Sequence, residues 1–284
     1  MKILAIGDYH AKFPDKLKEI IIQENPDLIL STGDYAGIEE FRPAIKKMFK
    51  ELARGKEFSF EDYFGKNKYR KILKKDYELG KIPIKELNNF NIPVLSVFGN
   101  GDWYDSELND LPYNYEKVIK KLKNIIDIDG GSGSIGGVKV VGFGGYLDPD
   151  IYFTEKGMRA INTDKENALK RKIRYNDSEK YLMKLMKFNP DILLAHYTPY
   201  KCLDKMKERG FLLTGENMGV SSYNRAAKKY KPALIVCGHM HENQGQCKLG
   251  KTLVVNPGSA AEGKCAFIEF EDKNKKVLSV RFVR

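Results

Sequence analysis

Short apolar runs alternate with longer amphipathic stretches along this chain, and each apolar run stops abruptly at polar residues. Residues 2–7, Lys2-Ile3-Leu4-Ala5-Ile6-Gly7, read as a buried strand that ends at Asp8-Tyr9-His10. Pro14 and Asp15 open a helix through about Glu24, with Leu17, Ile20 and Ile21 on one face. Asp27-Leu28-Ile29-Leu30-Ser31 is a second strand, ending at Thr32-Gly33-Asp34. This β-α-β opening predicts an α/β protein in which a sheet is wrapped by helices.

The pattern repeats downstream. Pro93-Val94-Leu95-Ser96-Val97-Phe98 stops at Gly99-Asn100-Gly101-Asp102, where two glycines let the backbone turn while the amide and carboxylate project. Asp191-Ile192-Leu193-Leu194-Ala195 ends at His196, and Ala233-Leu234-Ile235-Val236-Cys237 ends at Gly238-His239-Met240-His241. Helices are expected from about Asn114 to Lys123, near 199–209 and near 222–230. A Thr163/Glu166 capping box predicts another, with a break near Asn176-Asp177-Ser178 before a further helix to about Phe188. The tail alternates as strands at 244–248, 252–255, 265–271 and 277–283. Gly130 to Gly137 has the glycine content of a phosphate-cradling loop, but no Gly-Lys-Ser/Thr follows, so a pair of turns is expected. Without repeats or low-complexity linkers, residues 1–284 are expected to form one domain.

One segment departs from this rhythm. From about 38 to 91, Lys and Arg interleave with Phe41, Phe49, Phe58, Phe60, Tyr63, Phe64, Tyr69 and Tyr77. Two or three helices are expected there, one capped by Ser59 with Asp62 three residues on. Either the aromatics pack inward beneath solvated lysines, or the segment clamps a phosphate or a nucleic-acid strand.

Charge adds a preference for partners, not a fold. The balance of 49 cations against 38 anions leaves +11, which favours phosphorylated metabolites or nucleic acid. No apolar run approaches the roughly 18 residues of a membrane span, and the first eight residues lack a signal-peptide pattern. Cys202, Cys237, Cys247 and Cys265 show no close-paired spacing, so buried thiols and a cytoplasmic location are expected, with no membrane partner.

The chemistry lies at the strand ends. Asp8-x-His10, Gly33-Asp34, Asn100/Asp102, His196 and His239-x-His241 each follow an apolar strand, and all four histidines of the chain are among them. In helix-flanked sheets, sites form where carboxyl ends of strands meet, so these clusters should converge. Imidazole with carboxylate suits divalent transition metals, and one carboxylate, Asp34, could bridge two ions. Such a pair would share an activated hydroxide and clamp the oxygens of an in-line displacement at phosphorus.

In order, the clusters resemble the calcineurin-like metallophosphoesterases, whose pattern is Asp-x-His, Gly-Asp, Gly-Asn-His-Asp/Glu, a single His, and Gly-His-x-His. Asn256-Pro257-Gly258-Ser259 resembles a loop often found after the last motif. The resemblance implies a two-sheet β-sandwich flanked by helices, in four layers, with the 38–91 segment as an insertion. It places Asp8, His10, Asp34 and His241 on a first metal, and Asp34, Asn100, His196 and His239 on a second. Asp34, Asn100 and His196 would sit closest to the chemistry. Two divalent ions are implied, manganese foremost, with iron, zinc or nickel as alternatives.

The third motif departs from the family. Gly101 stands where many members carry the His that protonates the leaving group, and no fifth histidine replaces it. A general acid is worth about 10²–10⁴-fold, most for a poor alkoxide leaving group. The expected activity is therefore hydrolysis of a phosphodiester, nucleotide-like or otherwise. Phosphomonoesterase, nuclease or RNA-processing activity, and a non-catalytic binding role, are the alternatives. Tyr9, Tyr35, Tyr197 or a bound water could donate the proton, and Asp102 is left either as a turn-stabilising residue or as a relic of the acid.

Overall fold

A computed structural model describes residues 1–104, 111–161, 163–209 and 211–284. Among the described residues, twelve strands form two six-stranded sheets. The first runs β12 (Lys276–Val283), β11 (Cys265–Glu271), β1 (Lys2–Ile6), β2 (Leu28–Ser31), β3 (Val94–Ser96), β4 (Ile125–Asp127). The second runs β5 (Gly131–Ile135), β6 (Val138–Phe143), β7 (Ile192–Ala195), β8 (Leu234–Val236), β10 (Thr252–Asn256), β9 (Gly245–Leu249). The expected two-sheet α/β sandwich is the observed architecture.

Alternation of side chains builds the layers. On β1, Ile3 and Ala5 face the second sheet, while Leu4 and Ile6 face the helices. The space between the sheets is filled by residues such as Leu28, Leu30, Leu95 and Val97 against Val140, Ile192, Leu194 and Val236. Outside the first sheet pack α1 (Asp15–Glu24), α4 (Lys66–Asn89) and α5 (Tyr115–Ile119). Outside the second pack α7 (Lys165–Leu185) and α8 (Ser221–Tyr230), with the short α6 (Glu155–Ala160) preceding α7 in the chain.

The central strands position the site. β1, β2, β3 and β4 pair in parallel, as do β6, β7, β8 and β10. Parallel pairing puts every carboxyl end of a sheet on one edge, so the residues that follow β1, β2, β3, β7 and β8 share a crevice.

Several local expectations need correction. No helix forms over 199–209; the chain there is turns, held by Asp204, whose carboxylate accepts the Lys201 and Gly219 N–H groups at 2.8 and 3.1 Å. The break at Asn176-Asp177-Ser178 is absent, because α7 runs unbroken through it. Its N-cap is Asp164, which accepts the Asn167 N–H at 2.7 Å, in place of Thr163. The glycine-rich stretch is strand β5, closed onto β6 by a hairpin turn at Gly136-Gly137. Cys202 and Cys247 form a disulfide (Cα–Cα 6.1 Å), since the loop after β7 folds onto β9. Cys237 and Cys265 are buried thiols, as expected. Among the described residues no helix is long and apolar enough to cross a membrane.

Between β2 and β3 lie α2 (Arg42–Ala53), α3 (Phe60–Phe64) and α4. Ser59 caps α3 by accepting the Asp62 N–H, as the spacing predicts. The aromatics of this segment contact one another: Phe41 meets Phe60 and Phe64 edge-on, and Tyr69 stacks on both. They cluster with one another while staying half-buried, Tyr63 being exposed, and most of the lysines among them lie in solvent.

Candidate metal centre

The loop after β1 lies on the loop after β2. Tyr9 and His10 donate their N–H groups to the Asp34 carbonyl at 2.9 and 3.0 Å, and Asp8 donates to Gly33 at 2.9 Å. To fit, Asp8, His10, Asp34 and His239 all adopt left-handed backbone, with φ of 53°, 45°, 56° and 63°. Such conformations are costly for residues with a Cβ and gather where function requires them. Gly99 has its own reason to be glycine: a Cβ there would stand 2.0 Å from the Asp34 carboxylate.

Asp102 is the anchor of the third cluster. Its carboxylate accepts the N–H groups of Gly99, Asp34, Tyr35 and Ala36 at 2.8, 2.8, 2.7 and 3.1 Å. It therefore holds the Asp34 turn from beneath, which favours its turn-stabilising role. Asp34 in turn accepts the Gly101 N–H at 3.0 Å through Oδ1, leaving Oδ2 3.6 Å from His196 Nε2.

The predicted residues come together in two groups. Ligand atoms of Asp8, His10 and Asp34 lie within 4.8 Å of one another, and so do those of Asp34, His196 and His239. Asp34 belongs to both. Asn100 joins the second group, its Oδ1 2.9 Å from His196 Nε2. His241 flanks the first, its ring edge-on to His10 at 5.3 Å between centroids.

Three observations show that these residues suit cations. His196 Nδ1 lies 2.9 Å from the Thr32 carbonyl, which can only accept, so Nδ1 carries a proton and Nε2 is the ring atom turned to the other candidate ligands. Nε2 lies 2.9 Å from Asn100 Oδ1, so an imidazole nitrogen and an amide oxygen of the kinds that hold divalent ions point to one place. His10 Nε2 is buried with no hydrogen-bond partner. Asp8 is fully buried, and among the described residues no cationic side chain is bonded to it; its carboxylate accepts the His239 N–H at 3.0 Å, while Ser259 Oγ donates to its backbone carbonyl at 2.9 Å. The loop resembling the family's Asn-Pro-Gly-Ser thus braces Asp8 from behind.

Titration follows from the same burial. Desolvation and the neighbouring Asp34 push Asp8 up to about 8. Burial lowers His239 to about 3 and also lowers His10. Burial would raise Asp34 too, but His196, His10 and the Gly101 N–H outweigh it and hold its pKa below the usual carboxylate value. A divalent ion entering the first group then competes with a proton at Asp8. Apparent Mn²⁺ affinity should rise roughly 20-fold between pH ~6.5 and ~8.5 as Asp8 loses that proton. Calorimetric titration of metal-stripped protein would check this; a flat profile would mean that Asp8 is ionised before the ion arrives.

Two of the proposed proton donors are removed. Tyr9 and Tyr35 spend their hydroxyls on Ser31 and Ser96, at 2.6–3.0 Å, beneath the site. Tyr197 remains, its ring edge-on to His239 at 4.5 Å. Sequence reasoning missed Asp76, which accepts the Gly37 and Ile38 N–H groups and the Trp103 indole at 2.8, 2.9 and 2.9 Å. Its signal was present: Asp76 falls on the stripe of Ile72, Gly80, Pro83, Ile84 and Leu87 that α4 buries.

Comparison with known proteins agrees with this geometry. A family model described as metallophosphoesterase, calcineurin superfamily, matches residues 1–280. An uncharacterized protein of Methanocaldococcus jannaschii is 25% identical over 285 residues, covering 98% of this chain and 95% of that one. Among solved structures, TT1561 of Thermus thermophilus overlays with a TM-score of 0.53 at 16% identity, covering 100% of this chain and 99% of that one. Phosphopantetheinyl hydrolase from Mycobacterium tuberculosis overlays with a TM-score of 0.52 at 13% identity, covering 99% and 95%. Strand ends, donor set and family match converge: the chain belongs to the calcineurin superfamily of metallophosphoesterases, and is a metal-dependent phosphoesterase in the broad sense.

Proposed function

We propose that the protein is a phosphodiesterase that works with two divalent ions, Mn²⁺ foremost, one held by Asp8, His10, Asp34 and His241, the other by Asp34, Asn100, His196 and His239. The observation that carries this reading is the pair of ligand groups sharing Asp34. Bound ions would supply Lewis acidity and a nucleophile at neutral pH. The chain's own part is positional. The Thr32 carbonyl fixes the His196 tautomer, Asp102 holds the Asp34 turn, and the Gly7, Gly99 and Gly238 backbones pack too closely around Thr32, Asp8 and Asp34 to admit a side chain. Above Asp34, the position that carries an acid in many relatives is glycine, so a diester with a stable leaving group is favoured over a monoester.

Gly101 can test that choice. It lies outside the left-handed region, and a Cβ there would sit 3.3 Å from Asp34 Oδ1, close but open to a small adjustment. With Mn²⁺, the parent protein should hydrolyse bis-p-nitrophenyl phosphate in preference to p-nitrophenyl phosphate. Gly101→His should then raise the monoester-to-diester ratio of kcat/KM by about tenfold or more. Inert parent protein would defeat the hydrolase reading, whereas an unmoved ratio would mean that the missing acid does not set substrate choice.

A further inference from the structure

Tyr197 follows His196 directly at the carboxyl end of β7, so the strand that carries a candidate ligand also delivers this side chain to the crevice. Its ring stands edge-on to both imidazoles of the second ligand group, with centroids 4.5 Å from His239 and 5.2 Å from His196. The same side chain belongs to the apolar cluster outside the second sheet, with Phe143, Leu147, Cys202 and Val220. Only 7% of the residue is exposed.

A buried phenol ordinarily finds a hydrogen-bond partner, and one that does not calls for an explanation. The other buried tyrosines follow the rule. Tyr9 bonds to Ser31 and Tyr35 to Ser96, while Tyr115 donates to the Tyr77 carbonyl, Tyr175 to Asp150 and Tyr223 to the Phe143 carbonyl. Tyr197 is the exception: among the described residues its hydroxyl has no hydrogen-bond partner, although the ring is buried. Nor is that oxygen sealed inside the fold, as the orphaned His10 Nε2, Thr32 Oγ1 and Thr198 Oγ1 are, so a small molecule can reach it. A free donor thus stands beside the imidazoles of the second group, in a site where Gly101 provides no side-chain donor of its own.

We infer that Tyr197 is a further substrate-contacting residue, whose hydroxyl donates a hydrogen bond to an oxygen of the phosphate held at the second ligand group. This rests on the phosphodiesterase reading above and supplies a donor that Gly101 cannot. No proton is transferred; the hydroxyl keeps its hydrogen and offers it to an anion, the pairing in which a single hydrogen bond is strongest.

The test removes the hydroxyl and keeps the ring. Inorganic phosphate is titrated calorimetrically into Mn²⁺-loaded parent, Tyr197→Phe and, as a control, Tyr223→Phe. Tyr197→Phe should bind phosphate about 10- to 100-fold more weakly and lose kcat/KM towards bis-p-nitrophenyl phosphate by a similar factor. Its metal content should equal the parent's and its unfolding temperature should not fall, because no internal hydrogen bond is lost. Tyr223→Phe should do the reverse, unfolding at a lower temperature with phosphate affinity unchanged, because it loses the bond to Phe143 and nothing at the crevice. Unchanged phosphate affinity in Tyr197→Phe, or a parent that binds no phosphate, would overturn the assignment. So would loss of metal along with the hydroxyl, which would make Tyr197 a support for His239. A parent that binds phosphate but leaves the diester intact would fail the hydrolase reading alone, and the phosphate affinities would still decide the role of Tyr197.

Discussion

Asp34→Asn should abolish phosphodiester hydrolysis, lowering kcat/KM by about 10³-fold or more, while the folded chain survives. The two ligand groups have one member in common, and that member is this carboxylate. An amide keeps the shape and the Oδ1 acceptor for the Gly101 N–H. Asn also tolerates the φ of 56° that the turn imposes, better than most residues. What it removes is one negative charge and the second anionic oxygen, the one 3.6 Å from His196 Nε2. Metal content of the purified variant should therefore fall along with turnover, and thermal unfolding of the metal-stripped forms should differ little. A fully active Asp34→Asn would remove the shared-carboxylate reading altogether.

The legible part of this molecule was what repeats. Strand runs of alternating or continuous apolar residues, each cut off by Asp, Asn or His, located the carboxyl-end crevice from the sequence alone. Parallel pairing then did what the pattern implied, bringing Asp8, Asp34, Asn100, His196 and His239 into two adjacent groups. The illegible part was decided by contacts between distant segments. Cys202 and Cys247 stand 45 residues apart, and no spacing rule links them; they meet because the turns after β7 fold onto an edge strand. Those same turns read as a helix in sequence, since Lys201, Cys202, Asp204 and Lys205 are all acceptable in one. Left-handed backbone at Lys201 and Leu203, with the Asp204 carboxylate on the Lys201 and Gly219 N–H groups, overrides that weak preference. α7 shows the converse: Asn176-Asp177-Ser178 looks like a stop, yet Tyr175 and Leu182 on either side are buried against the second sheet and carry the helix through.

Asp102→Ala should cost about 3–5 kcal/mol of stability and most of the activity, with equal loss for monoesters and diesters. Four backbone N–H groups converge on this carboxylate, from Gly99, Asp34, Tyr35 and Ala36. Alanine orphans them together inside the fold, where each lost partner costs about 1–3 kcal/mol before water or rearrangement recovers some of it. The Asp34 turn is left-handed, a conformation only weakly favoured by its own residue, so losing its anchor also loosens the one carboxylate that both ligand groups share. Asp102→Asn should fall between, because its amide nitrogen meets N–H donors on one side while its oxygen still serves the other. The equal loss is the discriminating feature. A carboxylate whose task is to orient a leaving-group acid would weaken monoester hydrolysis most; Asp102 has only Gly101 beside it and touches no imidazole among its hydrogen-bond partners. Denaturant unfolding of the metal-stripped proteins and kcat/KM at two Mn²⁺ concentrations would measure both effects. Partial recovery of turnover at the higher concentration would place the defect in holding the metal, whereas an Asp102→Asn protein as stable and active as its parent would show that the Asp34 turn stands without this anchor.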